Sequence, residues 1–233
     1  MSLVNNKRKL DKLCNKNSKK SRTAHSDSDS DDNHHDMYSH DMYNFKSGNH
    51  IYFTSEVSKV SINRLSKMLN NIVADYEFTK KALNNSIVDD NKISPKPIYL
   101  HIDSPGGDLT EGFRAMDMIK NSKIPVYTVA EGEVVSAASM MYMAGKKRYI
   151  TESSYLLIHQ MSVSNMSGTY ENIKDDYENN TQFMKKIVDI YYDACKGKLK
   201  KKQITEALKH DLYWNAKTCI AKGLADELWK SDN

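Results

Sequence analysis

From about residue 50 onward, short apolar runs alternate with amphipathic stretches, which predicts β-α units around a mostly parallel sheet. Residues 51–54 read as a first strand. Ile62, Leu65, Leu69, Ile72 and Val73 then recur at helical spacing and predict a helix over 61–76. The polar stretch 78–97, with Pro95 and Pro97, reads as a loop. Residues 98–102 predict the next strand, which runs into Asp103-Ser104-Pro105-Gly106-Gly107-Asp108, where a proline and two glycines stop either regular element. A helix is expected from Leu109, with Phe113, Met116 and Ile119 on one face. A strand over 126–129 follows, then a helix beginning near Ala138, then a strand over 155–158 that ends at His159. In 168–196, Tyr170, Ile173, Tyr177, Thr181, Met184, Ile187 and Tyr191 step by three or four, the stripe of a long helix facing core or another subunit.

Before residue 50 this patterning is absent and charge takes its place. Residues 1–22 hold eight Lys or Arg against the single acid Asp11, and 25–41 hold six Asp with no Lys or Arg. Such blocks bury too little apolar surface to offset the entropy of ordering, so 1–48 is expected to be a disordered tail and 49–233 one folded domain. The clusters Lys7 to Lys9 and Lys19 to Arg22 fit a nuclear address, a polyanion patch or plain solvated charge, and the Asp/Ser run at 26–32 resembles an acidic-directed phosphorylation tract. Beyond the tail, 25 basic residues nearly balance 23 acidic ones, so nothing argues for nucleic acid as a partner. Cys14, Cys195 and Cys219 lie too far apart for a disulfide framework or a Cys-x-x-Cys metal site, which points to a reducing compartment and no metal. No apolar run of 18 residues and no secretory signal is present, so a soluble, cytoplasmic protein without a membrane partner is expected, with nuclear and organellar locations left open.

Five of the eight histidines, His25, His34, His35, His40 and His50, lie in or just beyond the tail, which leaves His101, His159 and His210 as catalytic candidates. His159 sits where strand-end side chains of α/β sheets project into crevices, although a packed or solvated histidine fits the same position. Ser139 lies in Ser136-Ala137-Ala138-Ser139-Met140, small residues at a strand-to-helix turn. Small neighbours let a nucleophile approach a substrate, and they equally suit tight helix packing. The Gly-x-Ser-x-Gly elbow of α/β hydrolases is absent.

Taken together, Ser104-Pro105-Gly106-Gly107 after a strand, Ala137-Ala138-Ser139-Met140 about thirty residues later, Ile158-His159-Gln160, and Gly223-Leu224-Ala225-Asp226 near the end resemble the Clp protease proteolytic subunit over about residues 50–229. The resemblance implies a Ser-His-Asp serine peptidase, with Ser139 as nucleophile, His159 as general base and Asp211, before Leu212-Tyr213-Trp214, as its orienting partner. It places the oxyanion hole at the backbone N–H groups of Gly107 and Met140. Met141 stands where that family has glycine, Met161 where it has proline, and twenty positions separate Ser139 from His159, fewer than in bacterial Clp subunits.

The fold so implied is a crotonase-like α/β superhelix of repeated ββα units, with 168–196 as a projecting handle. The function implied is hydrolysis of unfolded proteins or peptides inside a homo-oligomeric chamber of seven or fourteen subunits, fed by a separate AAA+ unfoldase. ATP would be used only by that partner, since the chain has no Walker-type loop, and no cofactor is expected. The rival readings are a capsid-maturation type of protease acting without an unfoldase, a non-catalytic ring subunit, and a crotonase-type acyl-CoA enzyme, which would not need Ser, His and Asp in this order.

Overall fold

The structure is a computed structural model and describes residues 43–84, 94–164 and 167–230. Residues 1–42 of the expected tail and 85–93 of the stretch expected as a loop lie outside the described residues.

Strand structure is present before residue 49. Strand β1 (Asn44–Ser47) forms an antiparallel hairpin with β2 (His50–Phe53), Asn44 opposite Phe53. Asn44 is buried, and its side chain donates to Ser55 Oγ at 2.7 Å and accepts from the Thr54 N–H at 2.9 Å, which ties the hairpin to the chain that follows. Helix α1 (Lys59–Asn84) buries Ile62, Leu65, Met68, Leu69 and Ile72 against the sheet. It runs past the expected end at residue 76. Residues 77–84 begin the largely polar stretch that suggested a loop, but they contain good helix formers and neither Pro nor Gly to stop the helix.

Strand β3 (Ile98–Ser104) leads through Pro105, Gly106 and Gly107 into α2 (Leu109–Lys120), whose first turn is capped by the Asp108 carboxylate accepting from the Glu111 N–H at 2.9 Å. Strand β4 (Val126–Val135) is one ten-residue strand, six residues longer than the expected 126–129. It is followed by the short helix α3 (Ala137–Met143), then β5 (Lys147–Ile150) and β6 (Tyr155–Leu157). The length of β4 matters because its first half pairs with β5 and its second half with β6, both parallel. The sheet therefore forks, and the order β1-β2-β3-β4-β5-β8 has β6 and β7 branching off the far half of β4.

The remaining elements are α4 (Tyr170–Ala194), α5 (Lys201–Ala207), β7 (Tyr213–Asn215), α6 (Ala216–Lys222) and β8 (Glu227–Leu228). Alternation in the strands separates the two sheet faces. Ile51, Phe53, Leu100 and Ile102 are fully buried in the core, whereas His50, Tyr52, Tyr99 and His101 stack on the opposite face with Trp229. Helix α4 is also divided, along its length. Ile187 and Tyr191 are buried against the body, while Tyr170, Ile173 and Tyr177 stay exposed. Among the described residues no helix is long and apolar enough to cross a membrane.

Candidate active site

Strand pairing alone brings three chain segments together. Val135 of β4 pairs with Leu157 of β6, and the Ser136 N–H continues that contact by donating to the Leu157 carbonyl at 3.0 Å. On the other side, Leu157 pairs antiparallel with Tyr213 of β7, and continuing that register two residues sets His159 opposite Asp211. The Gln160 N–H donates to the Leu208 carbonyl at the end of α5 at 2.7 Å, which holds this crossing in place. His159 Nδ1 and Asp211 Oδ1 are 2.9 Å apart. Ser136, His159 and Asp211 thus stand at the open ends of three adjacent strands, where α/β sheets bind ligands.

A cleft of about 500 Å³ opens at this edge and is lined by Gly107, Ser136, Ala137, Met140, His159 and Tyr191, among others. Three serines line it, Ser136, Ser162 and Ser164, and the expected Ser139 is not among them. Ser139 lies inside α3 with no exposed surface, and its hydroxyl donates to the Ser136 carbonyl at 2.6 Å and meets the Tyr191 hydroxyl at 2.7 Å. A helical residue one turn in, already bonded on both sides, has neither the access nor the free hydrogen bond that a nucleophile needs. The structure brings His159 and Asp211 together and leaves Ser139 behind the cleft wall.

Ser136 has the opposite character. It is half-buried at the N-cap of α3 with φ 54° and ψ −124°, and its side chain makes no capping hydrogen bond. A non-glycine residue in this region carries strain of about 1–3 kcal/mol and persists only where its surroundings enforce it, a condition concentrated at functional sites. With this backbone, Ser136 lines the cleft. The signal in the sequence was the spacing. Counting from Ser136 lengthens the interval to His159 from twenty residues to twenty-three.

The glycines supply close approach. A Cβ on Gly106 (φ 92°) would come within 2.7 Å of Ser136 Cβ and of the Val135 carbonyl oxygen, and one on Gly107 (φ 142°) within 2.3 Å of the Val57 carbonyl oxygen. Gly106 accepts from the Val57 N–H at 2.7 Å, and Asp108 donates to the Val57 carbonyl at 2.8 Å, so the Gly107 N–H is held between two fixed neighbours at the cleft. In a helix that starts at Ala137, the Ser139 N–H is the first to find a carbonyl, that of Ser136 at 3.0 Å, and the Ala137 N–H precedes the helical ladder. Ala137 and Met140 both line the cleft.

The other histidines lie elsewhere. His101 is buried on the far sheet face, 2.7 Å from Glu131 Oε1 and 2.9 Å from His50 Nδ1, and burial together with His101 holds the His50 pKa below its usual value. His210 is exposed and 3.8 Å from Glu206. A larger groove of about 690 Å³ beside α2 and α4 contains lysines and acids but no serine, cysteine or histidine. Among the described residues no group of three or more His, Cys, Asp or Glu could hold a metal ion.

Residues 54–232 match the sequence model of the Clp protease family. The chain is 32% identical over 157 residues to ATP-dependent Clp protease proteolytic subunit 2 of Treponema denticola, covering 66% of this chain and 77% of the relative. It is 29% identical over 190 residues to the ATP-dependent Clp protease proteolytic subunit of Cyanophora paradoxa, covering 78% and 96%. The corresponding subunit 2 of Pseudomonas aeruginosa is 30% identical over 142 residues, 60% of this chain and 69% of the relative.

Proposed function

Since the chain belongs to the Clp protease family, with the crotonase-like α/β fold that this implies, we propose that it is a serine endopeptidase in which Ser136 is the nucleophile, His159 the general base and Asp211 the partner that orients the base. The observation that carries this reading is the strained backbone of Ser136 at a cleft it shares with His159. A neutral hydroxyl is a weak nucleophile near neutral pH, so the imidazole takes its proton as oxygen attacks the peptide carbonyl. Asp211 accepts from Nδ1–H, which leaves Nε2 as the basic nitrogen and steadies the imidazolium that forms. The Gly107 and Ala137 N–H groups stabilise the oxyanion. His159 then returns the proton to the leaving amine, and water releases the acyl group by the same steps in reverse order of roles.

The substrates are unfolded proteins or peptides, cleaved inside a homo-oligomeric ring of seven or a double ring of fourteen. The exposed Tyr170, Ile173 and Tyr177 of α4 support assembly, because a free apolar stripe is costly to leave in water. A separate AAA+ unfoldase supplies the ATP-driven step that the relatives' names carry, this chain needs no cofactor, and the complex acts in the cytoplasm.

The test is intact mass after treatment with an alkyl fluorophosphonate, in which the serine oxygen bonds to phosphorus, fluoride leaves and the histidine takes the proton. One adduct per chain in the wild type, and none in folded Ser136→Ala, is the expected result. An unmodified wild type, under conditions that fully label a control serine hydrolase, would leave a subunit that supplies ring structure only.

A further inference from the structure

Ser139 has a single hydroxyl proton, and the Ser136 carbonyl 2.6 Å away can only accept, so that proton points at the carbonyl. The Tyr191 hydroxyl, 2.7 Å from the same oxygen, must then be the donor to Ser139. The result is a directed chain of two hydrogen bonds, from Tyr191 on α4, through Ser139 on α3, to the backbone carbonyl of Ser136. Two of its members are shut off from water, since Ser139 has no exposed surface and Tyr191 only 1%.

A buried serine that bonds the carbonyl three residues back is an ordinary way to satisfy a hydroxyl in a helix. Here the acceptor is not an ordinary carbonyl. It belongs to the N-cap residue with φ 54°, and it also accepts the Ser139 N–H at 3.0 Å. Two donors from one residue converge on the peptide whose orientation defines the strained turn. Removing the side-chain donor frees that peptide to rotate toward an unstrained conformation, and the Ser136 side chain turns with it. Tyr191 in turn holds the Ser139 rotamer, and it also lines the cleft, next to Ile187 of the same helix. Burial pushes the Tyr191 phenol well above its usual pKa, against the opposing hydrogen bond to Ser139, so the phenol remains a donor across the working pH range.

We propose that Tyr191 and Ser139 are positioning residues that pin the Ser136 turn, so that the seating of α4 on the body sets how well Ser136 is aimed at a substrate carbonyl. The proposal rests on Ser136 being the nucleophile. It takes a direction from α4 itself, whose inner half carries the relay while its outer half, with Tyr170, Ile173 and Tyr177, is free to bear on a neighbour. A partner that shifts α4 would be felt at Ser136 without touching the cleft.

The experiment measures the rate of fluorophosphonate labelling against reagent concentration for the full chain, for Tyr191→Phe, for Ser139→Ala and for the double variant, all well below their melting temperatures. Tyr191→Phe is expected to lower the maximal rate about tenfold, and Ser139→Ala by as much or more, with the half-saturating concentration unchanged. The double variant should match Ser139→Ala, because the two act in series. A purely structural role would lower the melting temperature and leave the maximal rate of folded protein alone. Wild-type rates in both single variants, or losses that multiply in the double, overturn the relay. If Ser139→Ala fails to fold, Tyr191→Phe, which removes one oxygen, decides alone. Failure of the underlying reading is distinct: the wild type would not label, or Ser136→Ala would.

Discussion

The two ends of the sheet each hold a carboxylate against a cationic or basic side chain, and they are built in opposite ways. At the β5–β8 end Arg148 is buried and its guanidinium makes a two-pronged contact with Asp226, Nη2 to Oδ1 at 2.8 Å and Nε to Oδ2 at 3.1 Å. Nη1 reaches the Ala194 carbonyl at the end of α4 at 3.1 Å, and the Asp226 N–H donates to the Arg148 carbonyl at 2.8 Å. At the cleft, Asp211 has one contact, to His159, and its side chain is 76% exposed. The first pair joins three parts of the chain and leaves no lone pair free. The second keeps one end in solvent and the other nitrogen of its histidine available. A pair saturated with bonds serves the fold, while a pair with a spare site can move a proton.

The comparison is broken most sharply by separating activity from stability. Ser136→Ala or His159→Ala should lower peptide hydrolysis by about six orders of magnitude, and doing both should cost little more, since such residues act as a unit. Asp211→Asn should lose about four orders of magnitude with an unchanged melting temperature, because the amide favours the wrong imidazole tautomer and the exposed contact adds little to stability. His210→Ala, its neighbour, should stay close to wild type. Denaturant unfolding checks the folded state of each.

Asp226→Asn should do the reverse. Breaking the buried pair leaves Arg148 without its partner and costs about 3 kcal/mol in denaturant unfolding, while phosphonate labelling of the remaining folded protein stays near wild type. Burial pushes the Asp226 carboxyl up, but the bonds from Arg148 outweigh it and hold its pKa below the usual value. Its contribution is therefore complete above the ordinary carboxylate range and is lost as pH falls through the lower folded value. The variant should lose that share of acid sensitivity.

Much of this was legible in the residue pattern, and the parts that were not share a cause. The strand at 98–102, the helix from Leu109 and the long helix at 168–196 carry enough period to be read directly. Strands β5, β7 and β8 have four, three and two residues, too few to show alternation, and so the fork that carries His159 and Asp211 was not visible. The closing Gly-Leu-Ala-Asp segment was noticed as a likeness, and its physical role appeared only with the Arg148 contact. The nucleophile shows the limit most clearly. Ser136 and Ser139 are three residues apart among alanines, and a positive φ is announced in sequence only by glycine or, less often, by Asn or Asp. Serine carries no such mark, so the Met after Ser139 drew the reading to the serine that the structure buries.

The tail boundary offers a smaller test. A chain beginning at Tyr43 should keep the melting temperature of the full chain, whereas one beginning at Gly48 loses β1 and the bonds of the buried Asn44 and should melt several degrees lower. Replacing Ile173 with Lys on the exposed half of α4 should shift native mass spectra toward smaller assemblies with little change in melting temperature.

The most direct test of the account is to digest the fluorophosphonate-treated wild type and locate the adduct by tandem mass spectrometry on the peptide that carries both serines. The account predicts a single adduct on Ser136, with Ser139 unmodified. An adduct on Ser139 would contradict it.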